Sequence, residues 1–213
     1  MKKLLQTTSL LFFVYSIQAQ TDLKNLDGII SPEEDQKLNV LGKNSDNQLL
    51  IDPSSDNYLK ITVKSEELYV ASLCICNEQD EVIILHASAA LGQILYKKEG
   101  DRWITNQKFD WQMRGVDMKV STIAKRLQYL KSTGWVANTM SMGNVGETEF
   151  IIDRKVFSGE LKLAIGLMTA ENPDNIVGIP PKEAGDCADQ KLVSGDPKSN
   201  YGFDTSNWIT LSR

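Results

Sequence analysis

One histidine, three cysteines and two loops rich in acids and amides hold most of the chemistry this chain can offer. His86 stands alone, which excludes a multi-histidine zinc site, a bis-histidine haem and any HExxH helix. It ends an apolar run and precedes Ala87-Ser88-Ala89-Ala90-Leu91-Gly92, where small side chains let another backbone or a ligand come close. Two roles are open to it: a hydrogen-bonded histidine at a strand end, or a contact to a ligand, a metal or haem. A hydrolase built on Ser88 and His86 is disfavoured. There is no GxSxG elbow, and a nucleophile and its base seldom meet two residues apart on one strand.

The tryptophans are the second resource. Trp103, Phe109, Trp111 and Trp135 cluster in sequence. Exposed, they would form stacking platforms for sugars or other flat ligands. Alternation that puts Phe109, Trp111 and Met113 on one face equally describes core packing. The third resource is oxygen: Asp52, Ser54, Asp56 and Asn57, and again Asp174, Asn175, Asp186 and Asp189. Neither group has EF-hand spacing or its closing glutamate, so a polar loop is the default reading of both. Met113, Met140, Met142 and Met168 are candidate haem axial ligands, but no CxxCH motif attaches a c-type haem.

Cysteine chemistry depends on the compartment. Residues 1–19 read as a secretory signal peptide: Lys2 and Lys3, an apolar core ending near Tyr15, and Ala19 at the cleavage position. The core is shorter than the about 20 residues a bilayer span needs, and no later segment is apolar enough to cross. The expected mature protein is exported, periplasmic or secreted, where disulfides persist. Cys74 and Cys76 share a strand face at about 6.6–7 Å, at or beyond the disulfide limit while the strand stays extended. Cys187 is free to reach one of them, and we name Cys74–Cys187; buried, unpaired thiols are the alternative. Losing Lys2 and Lys3 takes the net charge from −5 to −7, which disfavours nucleic acid as a partner.

The elements that must position these groups are mostly strands. Residues 20–57 look polar and turn-rich, with one helix start at Ser31-Pro32-Glu33-Glu34: Ser31 as N-cap, Pro32 first in the helix, Glu34 closing a capping box. That helix is expected to end near Leu41. From Tyr58 the pattern is β. Leu59, Ile61 and Val63 alternate with Lys60, Thr62 and Lys64, a half-buried strand. Leu68 to Cys76 is apolar on both faces, as at the centre of a sheet covered on both sides. Further strands are expected at Glu81–Leu85, Gln93–Lys97, Arg102–Thr105, Lys108–Arg114, Glu147–Asp153, Leu161–Met168 and Asn207–Leu211. Val120, Ile123, Ala124, Leu127 and Leu130 set one mid-chain helix at about 118–132, with Asp117 as N-cap and Gly134 as its stop. Residues 171–205 read as one long polar loop. The fold class is mainly β: an antiparallel β-sandwich with one mid-chain α-helix, a single domain over 20–213.

The run Leu26-Asp27-Gly28-Ile29-Ile30-Ser31-Pro32-Glu33, then Tyr58-Leu59-Lys60-Ile61-Thr62-Val63-Lys64 and Glu67-Leu68-Tyr69-Val70-Ala71, resembles the DOMON and carbohydrate-binding family 9 sandwiches. The resemblance covers roughly residues 26–76. It implies an exported, non-catalytic module that binds a sugar or similar small molecule, with a b-type haem electron-transfer domain as the alternative. Haem-binding members use methionine with histidine or lysine, and His86 would take the histidine part. Sugar-binding members use tryptophan pairs, here Trp103 with Trp111. The ligand-binding set we name is His86, Ser88, Trp103, Trp111 and Arg114, with no catalytic or metal residues. A partner protein in the envelope is compatible with this reading, and a secreted hydrolase is the third. Fold analogy alone establishes none of these activities.

Overall fold

The computed structural model describes residues 26–67, 69–112, 120–138, 142, 144–157, 159–169, 175–181, 187 and 198–211. The expected signal peptide, Arg114 and Met113 lie outside them. Two antiparallel sheets face each other. The first runs β1 (Asn39–Asn44), β2 (Asn47–Asp52), β3 (Tyr58–Lys64), β10 (Glu147–Asp153) and β9 (Trp135–Ala137), in the order β1-β2-β3-β10-β9. The second runs β12 (Ile176–Ile179), β11 (Leu161–Thr169), β4 (Tyr69–Cys76), β5 (Glu81–Ala87), β6 (Leu91–Glu99), β7 (Arg102–Ile104) and β13 (Asn200–Tyr201). On its flanks β8 (Asp110–Gln112) pairs with β6 and β14 (Ile209–Leu211) with β11. The mainly β, two-sheet architecture is the one expected from the sequence.

Period-two patterning assigns the faces. Leu59, Ile61 and Val63 of β3, with Phe150 and Ile152 of β10, point inward against Leu73, Ile75, Leu85, Leu163 and Ile165. These residues are buried and form the main core. β4 lies between β11 and β5 and is buried along nearly its whole length, as its two apolar faces require. Its other face supports a second core of Cys74, Ile84, Ile94, Tyr96, Trp103, Phe203 and Trp208. The Cys74–Cys187 disulfide ties the chain to that outer face, Cα to Cα 5.9 Å, and Cys76 stays a buried free thiol.

Helix α1 (Pro32–Asp35) has both bonds of the capping box: Glu34 N–H donates to Ser31 Oγ, and Ser31 N–H donates to the Glu34 carboxylate. It ends at Asp35, six residues short of Leu41, because the chain turns into strand β1. α2 (Val120–Thr133) matches the expected helix within two residues. Gly134 stops it at φ +82°, donating its N–H to Leu130 O.

Two stretches differ from expectation. Residues 20–57 contain a hairpin, β1–β2, that was not legible as strand. Its turn residue Ser45 sits at φ 53° without the glycine that usually marks such a turn. Within 171–205 the described residues include β12 and β13, so that stretch is not one continuous loop.

Candidate functional site

Of the ligand-binding residues named from sequence, His86 and Trp103 are buried, Ser88 and Trp111 are half-buried, and Arg114 lies outside the described residues. His86 is 1% exposed on β5, opposite Ser72 of β4, whose Oγ lies 2.8 Å from His86 Nδ1. Phe109 and Trp111 close over the ring edge-on, at centroid distances of 6.0 and 5.4 Å. Nε2 has no hydrogen-bond partner among the described residues. Burial disfavours the charged ring and pulls the pKa down to about 3, so His86 is neutral at ordinary pH.

The small-residue segment beside it serves the protein's own side chains. A Cβ built on Gly92 would stand 2.1 Å from the Phe109 ring, so glycine is what lets Phe109 lie on the sheet. Trp103 is a correction: it is buried, and its indole N–H donates to Phe203 O, so it offers no stacking face. Trp111 is half-buried against His86 and Phe109. Ser88 is half-buried, and its hydroxyl closes a local turn with Ala90. The serine that reaches His86 is Ser72, the one polar residue inside the apolar run of β4, and it is 2% exposed. That interruption was the sequence signal for it.

Haem does not fit at this place. Nε2 has the orphaned character of an axial ligand, with Nδ1 fixed by Ser72. Among the described residues, however, Phe109, Trp111 and the sheet enclose the ring and leave it 1% exposed, which does not suit a flat macrocycle. Of the methionines, Met142 has its Sδ against Arg126 Nη1 at 3.7 Å. Met168 stands on β11, two strands away from His86. Among the described residues no group of three or more His, Cys, Asp or Glu is arranged to hold a metal ion.

An open, polar cleft lies on the other sheet. It encloses about 210 Å³ between the β2–β3 connection and the N-terminal segment. Asp52, Ser54, Ser55, Asp56, Asn57 and Tyr58 form one wall, Leu26, Glu34 and Lys37 the other, and Lys60 the floor. Asp52 ends β2, is buried, and accepts the Ser54 N–H at 2.8 Å. Ser55 Oγ accepts the Tyr58 N–H at 3.1 Å. These bonds shape the loop and leave Ser54, Asp56 and Asn57 exposed. Lys60 Nζ meets Glu34 Oε1 at 3.2 Å, and both side chains are largely buried.

Lys60 and Thr62 are therefore not on the solvated face that alternation predicts. Glu34 and Asp35 of the N-terminal segment lie against that face, pairing with Lys60 and Lys64. Four of the cleft residues, Asp52, Ser54, Asp56 and Asn57, are the oxygen-rich group noticed in the sequence. Glu34 and Lys60 were missed, because their meeting depends on a contact 26 residues apart in sequence.

A larger cleft of about 370 Å³ is lined by Asp46, Glu66, Glu67 and Tyr69. Its carboxylates sit on exposed turns. Only the smaller cleft has buried charges fixed at its base, which is the usual construction of a binding site. No family model, curated protein or solved structure matches this chain. The reading of its function therefore rests on the geometry above.

Proposed function

We infer that the protein is a non-catalytic, exported ligand-binding module of the DOMON or carbohydrate-binding type. The cleft at Asp52–Lys60 is its site, and a small polyhydroxylated molecule, a sugar, is its ligand. The observation that carries this reading is the fixed Lys60–Glu34 pair at the base of an open cleft ringed by hydroxyl, amide and carboxylate groups. Such a mixture of donors and acceptors suits vicinal hydroxyls, which give and take hydrogen bonds at once. Half-buried Tyr58 adds an aromatic surface for the apolar face of a sugar ring. Three carboxylates (Glu34, Asp52, Asp56) against two ammonium groups (Lys37, Lys60) make the lining unfavourable for an anion.

The test is calorimetric titration with a panel of neutral mono- and oligosaccharides. For a sugar that binds, Asp56→Ala is expected to weaken affinity about tenfold, the effect of one lost hydrogen bond of about 1.4 kcal/mol. Trp111→Ala is expected to leave it unchanged. Affinity lost in Trp111→Ala and kept in Asp56→Ala would return the site to the His86 region. No binding by any sugar would remove the carbohydrate reading.

A further inference from the structure

The N-terminal segment that walls the cleft is fastened to the sheet almost wholly by charged and polar clasps. Arg126, fully buried on α2, donates from Nε to Leu26 O at 2.5 Å and from Nη1 to Ala137 O at 2.6 Å. Gly28, at φ +82°, lets the segment press against Met142, Asn138 and the Arg126 guanidinium. A Cβ there would meet Met142 Cε at 2.8 Å. Lys60 holds Glu34, and Lys64 pairs with Asp35 and, at 3.5 Å, with Glu147. Of its apolar side chains, Leu26 and Ile30 are buried, Leu38 is half-buried and Ile29 is 40% exposed.

Beneath this segment lies a carboxylate that the cleft does not use. Glu149 of β10 is 4% exposed and stands opposite Thr62 of β3. It is the diagonal neighbour of Lys60 on the same face, within reach of a long side chain. Its backbone N–H is taken by Asn138 Oδ1. Thr62 Oγ1 and Arg126 Nη2, both buried, have no hydrogen-bond partner among the described residues.

We propose that residues 26–38 form a proton-controlled strap over the ligand cleft, clasped when Glu149 is neutral and loosened when it ionises. This rests on the cleft being the ligand site. Neutral Glu149 leaves the Lys60 ammonium wholly to Glu34. Ionised, Glu149 competes with Glu34 for Lys60 and repels both strap carboxylates, Glu34 and Asp27. The cations facing it are Lys60 from β3 and Arg126 from α2; Glu34 and Asp27 face it from the strap. Burial chiefly, aided by those two carboxylates and opposed by the cations, raises its pKa to about 7, which puts the switch at physiological pH.

The test is amide hydrogen exchange on the ligand-free mature protein at pH 6 and pH 8, corrected for intrinsic rates. Protection of strap amides is expected to fall roughly tenfold between them, the equivalent of one pKa unit, while β4 amides hold theirs. Glu149→Gln should keep pH 6 protection at both values. Glu34→Gln should exchange fast at both, which preserves the test if the first variant does not fold. Strap protection independent of pH in the wild type, or a pH response surviving in either variant, overturns the proposal. Sugar titration at the same two pH values separates the claims. A responsive strap with no sugar affinity at either pH overturns the cleft reading and leaves the strap standing.

Discussion

Removing the Cys74–Cys187 bridge by the double change Cys74→Ala/Cys187→Ala is expected to cost about 3–5 kcal/mol of unfolding free energy. The bridge joins residues 113 apart, so its chief effect is to withhold conformations from the unfolded chain. Alanine at both places avoids leaving a buried hydroxyl or thiol without a partner. The bridge also secures the second core, in which Trp103, Phe203 and Trp208 pack on the outer face of β4 and its neighbours. Urea unfolding of both forms measures the loss, and a steeper denaturant dependence should accompany it as the unfolded chain expands. A loss below about 1 kcal/mol would show that the bridge contributes little. Thiol titration of the unfolded, unreduced protein should find only the free Cys76. In the folded state burial pushes the Cys76 thiol pKa up, and it should resist modification.

The second large effect is a pH dependence centred on Glu149. Its folded pKa of about 7 lies above the ordinary carboxylate value of 4.5, so the folded protein binds more protons than the unfolded chain between those limits. Its contribution is complete below about 4.5 and is lost as pH rises through 7. Relative to Glu149→Gln, the wild type should lose about 3 kcal/mol over that window and nothing further above it. His86 acts in the opposite direction. Its folded pKa lies below its ordinary 6.5, so its contribution is complete above 6.5 and is lost as pH falls toward 3. Between about 4.5 and 6.5 the two slopes oppose each other. Glu149→Gln should therefore become steadily more stable with rising pH where the wild type stays flatter. Denaturant melts of both proteins at pH 5, 6, 7 and 8 measure this, and parallel curves would remove Glu149 as the titrating group.

Much of the fold was legible because its signals are local. The Ser31–Glu34 capping box, the α2 stripe, Gly134 and the doubly apolar β4 each depend on residues within a turn or a strand of one another. What was not legible depends on distant contacts. Lys60 and Thr62 follow the alternation of an exposed face, but distant parts of the chain cover it: Glu34 meets Lys60 from 26 residues away, and Arg126 of α2 faces Glu149 beside Thr62. Trp103 has the residue type of a sugar platform, but Phe203, brought to it from 100 residues away, accepts its indole N–H and packs edge-on against it. The β1–β2 hairpin was hidden by a turn that lacks glycine. For the site, the oxygen-rich Asp52–Asn57 stretch was visible, yet without Lys60 and Glu34 beneath it there was no reason to prefer it over His86.

The measurement that bears most directly on the site is a two-dimensional amide NMR titration of the protein with a sugar that binds. The cleft reading predicts shift changes concentrated at Asp52–Lys60 and at Glu34–Lys37, with His86, Trp111 and their neighbours unmoved. Changes centred on His86 and Trp111, with the Asp52–Lys60 amides unmoved, would contradict it.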